Sequence, residues 1–222
     1  MATVLVIGAS RGIGRELVCQ YLAAGDRVIA TVRDDAAKVA LQALGAEVLK
    51  VDVIKPESVS GLAWQLDGEK IDYAFYVAGV MDRADALTPP TQQDFDRVLH
   101  TNVLGAMQVL PQVAPMVEAA HGRFVFISSA MGQIKDVASS YSWTYRVSKA
   151  ALNMMVASAR HDYRHAIVLA MSPGWVQTDM GGAGAPLTVA QSVSAMRAAL
   201  PALTLADSGA FVDMQGRHFG GW

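Results

Sequence analysis

Seven short apolar runs, rich in β-branched and aliphatic residues, recur along the chain with longer helix-like stretches between them. The runs are Val4–Ile7, Arg27–Val32, Glu47–Val51, Ile71–Val77, Arg123–Ser128, Ala166–Met171 and Ala210–Met214. The stretches between them include Ile13–Ala24, Ala36–Leu44, Ser58–Leu66, Thr91–Leu110, Ser148–Tyr163 and Val189–Leu200. Strand-then-helix alternation predicts parallel βαβ units. The strand runs are apolar almost throughout, so both faces of the sheet need a covering of helices. The expected fold is α/β: a Rossmann-type doubly wound parallel sheet of about seven strands with helices on both faces. With no internal repeat and no Pro/Ser-rich linker, residues 1–222 read as a single domain.

Composition excludes several classes of function. Hydrophobic residues make up 52% of the 222 and charged residues 17%, the reverse of a disordered chain. Lys plus Arg number 18 against 20 Asp plus Glu, so no basic excess points to a nucleic-acid partner. No apolar stretch approaches the roughly 20 residues of a membrane helix. The lone cysteine, Cys19, suits a reducing compartment. No basic segment precedes a cleavable apolar stretch at the N-terminus. The expectation is a soluble cytoplasmic protein with neither membrane nor nucleic-acid partners, and no metal site.

The first strand runs directly into Gly8-Ala9-Ser10-Arg11-Gly12-Ile13-Gly14, and a helical pattern begins near Gly12. Glycines there permit a tight turn and close approach of phosphate to backbone, and the helix N-terminus offers free N–H groups. Such a turn, between strand and helix, predicts dinucleotide binding. The residue that selects NAD over NADP belongs at the end of the second strand, where a carboxylate would bind the ribose 2′-OH. That position is Val32, followed by Arg33, with Arg11 near the same edge. Arginine's planar fork suits a 2′-phosphate, which favours NADP(H), although Asp34 and Asp35 could reach a 2′-OH. Asp52-Val53 follows the third strand. Its carboxylate is either an acceptor for the adenine amino group or a turn and N-cap residue.

Tyr145 and Lys149 are spaced i, i+4, which on a helix puts both on one face. An ammonium beside a phenol would lower the tyrosine pKa from about 10 and make Tyr145 a general acid. Ser128-Ser129 ends the fifth strand, at the carboxyl edge where such sheets bind ligands. Asn102 sits inside a helical stretch, where asparagine is mildly unfavourable. It reads as a capping or core-satisfying amide, or as part of the site. After the sixth strand, Pro173-Gly174-Trp175-Val176-Gln177-Thr178 forms a turn whose backbone could lie against a nicotinamide carboxamide.

Taken in order, the glycine turn, Asp52-Val53, Ala78-Gly79, Asn102, Ser128-Ser129, Tyr145-Arg146-Val147-Ser148-Lys149 and Pro173 to Met180 resemble a compact short-chain dehydrogenase/reductase over essentially the whole chain. The Tyr-Arg-x-Ser-Lys form and the ending Gly209-Ala210-Phe211, Asp213, Gly216 and Trp222 are similar to the C-factor/sniffer-like branch of NADPH carbonyl reductases. The resemblance implies Tyr145 as proton donor and Lys149 as the residue that holds the nicotinamide ribose. It implies Ser129 as substrate-orienting serine and Asn102 as anchor of a water in a proton relay. Gly8, Ser10, Arg11, Gly12, Ile13, Gly14, Arg33, Asp52, Val53, Ala78, Gly79, Pro173, Gly174, Val176 and Thr178 complete the implied cofactor contacts.

Two departures stand out. Tyr76-Val77 replaces the family's usual Asn-Asn ahead of Ala78-Gly79. The interval from Ser129 to Tyr145 is three residues longer than the family norm, an insertion within Gln133–Trp143 that leaves Ser128 as a rival to Ser129. The implied activity is NADPH-dependent reduction of a carbonyl (aldehyde, ketone or quinone) to the alcohol, by a homodimer or homotetramer. The competing reading is a non-catalytic NADP(H)-binding sensor. Trp143, Trp175, Met131 and Met180 are candidate apolar walls for the substrate, and the short segment after Met180 argues against a long lid.

Overall fold

The computed structural model describes residues 1–221, and the Trp222 of the resemblance lies outside them. Strand β1 (Thr3–Ile7) leads through the glycine turn into α1 (Gly12–Ala23), followed by β2 (Arg27–Val32), α2 (Asp35–Gln42) and β3 (Glu47–Lys50). Two short helical turns, α3 (Pro56–Val59) and α4 (Leu62–Gln65), precede β4 (Tyr73–Tyr76). Then come α5 (Gln92–Leu99), a π-turn over His100–Leu104, α6 (Gly105–Ala119), β5 (Arg123–Ile127) and α7 (Trp143–Ala159). The chain closes with β6 (Ile167–Ser172), α8 (Val189–Ala199) and β7 (Phe211–Asp213). All pairings are parallel and the strand order is β3-β2-β1-β4-β5-β6-β7, the doubly wound sheet expected.

Successive side chains of a strand point to opposite faces, and here both faces are buried. Val4 and Val6 pack with Leu17, Val18 and Tyr21 of α1 and with Val193 and Met196 of α8. Leu5 and Ile7 pack on the other side with Val109 and Val113 of α6 and Leu152 and Val156 of α7. Each such side chain contributes about 1.5–3 kcal/mol by leaving water. Two covered faces explain why the strand sequences lack polar alternation.

Three boundaries differ from the sequence reading. Helix α7 begins at Trp143, not Ser148, because its first turn is capped by a distant residue rather than by a local one. The stretch from Thr91 continues to Ala119 through Pro111 and Pro115, both on the exposed side, where carbonyls deprived of a partner can be hydrated. The stretch Ser58–Leu66 is broken at Ser60-Gly61 into two short turns.

Candidate active site

From β1 the chain passes to β2 and β3 on one side, then crosses to β4 on the other. Such a reversal of strand order leaves a crevice beyond the carboxyl ends of the strands. There lies a cleft of about 420 Å³. Its wall includes the expected Gly8, Ser10, Arg11, Gly12, Ile13, Arg33, Asp52, Val53, Ala78, Gly79, Tyr145, Lys149, Pro173 and Thr178. Gly14, Gly174 and Val176, also expected at the cofactor, stand behind the wall. Gly14 packs behind the turn, Gly174 turns beside Leu187 and Met214, and Val176 is buried against Leu187.

The glycine turn is packed so closely that side chains are excluded at Gly8 and Gly14. Gly8 has φ of +89°, and a Cβ there would meet the Ala78 backbone nitrogen at 2.7 Å. A Cβ on Gly14 would lie 2.3 Å from the Gly8 carbonyl oxygen, so α1 packs on the turn only with glycine at that position. Arg11, at the N-cap of α1, provides no side-chain acceptor, and the first turn carries no carboxylate. The first N–H groups of α1 and its positive dipole end are therefore left facing the cleft, an arrangement that suits an anion.

At the edge beyond β2, the three charges after Val32 separate by role. Asp34 caps α2, accepting from the Ala37 N–H at 2.8 Å. Asp35 pairs with Lys50 at 2.9 Å. Neither lies on the cleft wall, whereas Arg33 is exposed and borders the cleft. Arg11 reaches across the mouth to Asp179 at 2.8 Å, both side chains about three-quarters exposed. Asp52 is not the N-cap of α3, a position held by Lys55. It makes a long contact with the Ile54 N–H at 3.4 Å and stays on the cleft wall.

Tyr145 and Lys149 lie on one face of α7, both nearly fully buried. Lys149 Nζ donates to the Ile127 carbonyl at 2.7 Å and sits 5.5 Å from the centre of the Tyr145 ring. Burial pulls the lysine down to about 7. Burial likewise pushes the Tyr145 phenol up to about 12, opposed by its interaction with the Ser129 hydroxyl. The sequence reading expected the ammonium to lower the tyrosine pKa. The structure shows a rise, because desolvation dominates and Nζ is turned to a backbone carbonyl. Tyr145 is accordingly a neutral phenol near pH 7, able to donate a proton.

The two serines part company. Ser128 borders the cleft, but its hydroxyl is buried and donates to Asn153 Oδ1 at 2.6 Å. Ser129 is half-buried, caps the following 3₁₀ turn by accepting from the Met131 N–H at 3.1 Å, and faces Tyr145. The extra residues before Tyr145 are absorbed in the exposed loop 134–141, leaving the Ser129–Tyr145 pairing intact.

Asn102 lies in the π-turn and is fully buried. Its Oδ1 accepts from the Val80 N–H at 2.8 Å, and its Nδ2 donates to the Val80 carbonyl at 2.8 Å and to Ser148 Oγ at 2.9 Å. The core-satisfying reading of this amide describes its side chain. Tyr76, standing where the family has an amide, donates its hydroxyl to the Thr101 carbonyl at 2.7 Å and so ties β4 to the π-turn. Of the four candidate substrate walls only Met180 borders the cleft; Trp175 is exposed and donates Nε1 to the Gly181 carbonyl. The loop after Met180 is short and closed by the Gln177 N–H donating to the Leu187 carbonyl at 2.8 Å.

Sequence reasoning missed the roles of Asp82, Ser142, Ser148 and Tyr76, which tie segments far apart in the chain together around the site. Tyr76 left a signal as a departure and Ser148 as part of the Tyr-Arg-x-Ser-Lys motif; Asp82 and Ser142 left none.

Residues 2–185 match the family model described as short chain dehydrogenase. The chain belongs to the short-chain dehydrogenase/reductase family of oxidoreductases. It is 36% identical over 149 residues to the C-signal of Myxococcus xanthus, covering 66% of this chain and 90% of that protein. A carbonyl reductase from Pseudomonas aeruginosa PAO1, solved in complex with NADP, superposes with a TM-score of 0.86 at 28% identity over 100% of both chains. Carbonyl reductase Sniffer of D. melanogaster shares the fold, with a TM-score of 0.92 at 24% identity over 100% of both chains. These similarities agree with the branch expected from the Tyr-Arg-x-Ser-Lys motif. Among the described residues no helix is long and apolar enough to cross a membrane, and no group of metal-binding side chains is present.

Proposed function

We propose that this oxidoreductase interconverts a carbonyl (aldehyde, ketone or quinone) and the corresponding alcohol, using NADP(H). The observation that carries the reading is that Tyr145 and Lys149 stand on the wall of the same cleft that the glycine turn opens, with the Ser129 hydroxyl bonded to the Tyr145 phenol. The uncapped N-terminus of α1 would take the pyrophosphate, and Arg33 the 2′-phosphate. Asp52 would accept from the adenine amino group, and Lys149 would hold the nicotinamide ribose. When bound, the reduced nicotinamide supplies a hydride to the carbonyl carbon. Ser129 orients the carbonyl oxygen by hydrogen bonding. Tyr145, held neutral by burial, gives its proton to that oxygen as negative charge builds there. Lys149 Nζ lies 5.5 Å from the centre of the ring, and its charge, when it is protonated, would favour the phenolate that results. The π-turn at Asn102 fixes the wall beside Lys149. We further propose that residues 1–222 act as one cytoplasmic domain and assemble as a homodimer or homotetramer; Leu104, Met107, Val147 and Met154 leave apolar surface exposed around α6 and α7.

The test is NADPH oxidation against a panel of aldehydes, ketones and quinones, with Tyr145→Phe in parallel. Turnover of at least one substrate class that depends on Tyr145 supports the reading. Tight NADPH binding with no turnover across the panel replaces it with the sensor.

A further inference from the structure

Resting on the proposed role of Tyr145, we propose that Asp82 is a positioning residue that sets where the tyrosine stands. Helix α7 starts at Trp143, so Tyr145 is its third residue, the position whose N–H a capping side chain normally accepts. The local N-cap residue, Ser142, makes no capping bond; it sits in a left-handed conformation with φ of +56° and is fully buried. Its place is taken from sixty-odd residues away: the Tyr145 N–H donates to Asp82 Oδ1 at 3.0 Å. The Ser142 hydroxyl in turn donates to the Asp82 carbonyl at 2.6 Å, and the Trp143 N–H approaches the Ala84 carbonyl at 3.4 Å. The segment after β4 thus caps the helix that carries the tyrosine.

Asp82 is 7% exposed and its Oδ2 is buried without a partner among the described residues. A buried carboxylate oxygen left unpaired is costly, so the bond to Tyr145 is not a surface accident. It also closes a ring. Tyr145 donates to Asp82; two residues earlier Val80 is clasped by Asn102; Asn102 donates to Ser148; and Ser148 Oγ donates to the Tyr145 carbonyl at 2.7 Å. Both peptide groups of the tyrosine are held, one through each arm of the ring. A side chain whose backbone is gripped this way keeps its hydroxyl where a carbonyl oxygen must be met, and small misplacements of a reacting group are expensive in rate.

The experiment compares Asp82→Ala with Asp82→Asn by steady-state kinetics, NADPH titration and amide hydrogen exchange over the first turn of α7. Asp82→Ala is expected to lower kcat by about tenfold or more while leaving NADPH affinity in place, and to speed exchange at Tyr145. Asn and Asp are equivalent caps, so Asp82→Asn is expected to keep kcat within about threefold and to keep the exchange slow. Unchanged kcat and exchange in Asp82→Ala overturn the proposal, as does an equal loss in Asp82→Asn. Should Asp82→Ala fail to fold, Ser142→Ala carries the test: it is expected to speed Tyr145 exchange and lower kcat with NADPH affinity kept, and unchanged exchange overturns the proposal. Exchange reads the position of the tyrosine independently of its chemistry, so an undiminished Tyr145→Phe enzyme would strike the proton-donor reading alone.

Discussion

Asn102 clasps the peptide groups of Val80 with both ends of its amide, accepting from the N–H and donating to the carbonyl, each at 2.8 Å. This clasp joins the π-turn to the segment after β4, next to Gly79 and the cleft wall. Replacing Asn102 with Ala leaves the Val80 N–H, the Val80 carbonyl and Ser148 Oγ without that partner. The Val80 groups are half-buried and Ser148 keeps its bond to the Tyr145 carbonyl, so the loss lies toward the lower end of the roughly 1–3 kcal/mol that a buried unsatisfied group costs. Asn102→Ala is expected to lower Tm markedly, and Asn102→Asp, which turns a carboxylate oxygen on the Val80 carbonyl in a fully buried place, to lower it at least as much. Thermal denaturation of the two variants checks the order.

The neighbouring serines separate stability from catalysis. Ser129→Ala removes the hydroxyl that faces Tyr145 and is expected to reduce turnover by about 10²–10³, the usual effect of losing one donor to a developing oxyanion. NADPH affinity should hold. Ser128→Ala leaves Asn153 Oδ1 buried without its 2.6 Å donor, so it is expected to lower Tm with little change in turnover. Kinetics and melting of both variants read the two effects independently.

Arg33 borders the cleft at the edge beyond β2, while Asp34 caps α2 and Asp35 pairs with Lys50 off the cleft wall. Arg33→Asp would remove a charge-assisted contact to a 2′-phosphate and add repulsion. The expected result is a loss of about tenfold or more in NADPH affinity with NADH affinity little altered. Dissociation constants for both cofactors measure it.

Lys149 gives the fold a pH dependence with a definite sign. Burial holds its folded pKa at about 7, below the ordinary lysine value. Between those two values the unfolded chain binds the extra proton, so stability rises with pH through that interval. Below about pH 7 both states are protonated and this contribution levels off. Lys149→Met should flatten the rise in Tm across the same interval, which a series of melts at stepped pH would reveal.

What the sequence made legible was what local spacing encodes. The apolar runs gave the strands, with Val4 and Val6 on one face and Leu5 and Ile7 on the other. The glycines of the turn marked the cleft, and the i, i+4 interval put Tyr145 and Lys149 together. What stayed hidden depends on partners distant in the chain. The start of α7 was misplaced because its cap comes from Asp82. The direction of the Tyr145 shift was misjudged because spacing reports proximity to Lys149 but not burial, nor the Ile127 carbonyl that takes the ammonium. The insertion before Tyr145 cast doubt on Ser129, yet loop 134–141 bulges outward and leaves the pair in register. At Tyr76, the departure from the family's amides conceals a replacement: a longer side chain reaches the Thr101 carbonyl.

The central claim is that the Tyr145 phenol delivers the proton. The most direct measurement is single-turnover and steady-state NADPH oxidation by Tyr145→Phe with the best carbonyl of the panel, alongside NADPH titration. The phenylalanine ring fills the same buried space, so fold and cofactor affinity should persist. Turnover is expected to fall by about 10²–10⁴, the contribution of a positioned general acid. An undiminished rate in the variant would contradict the account.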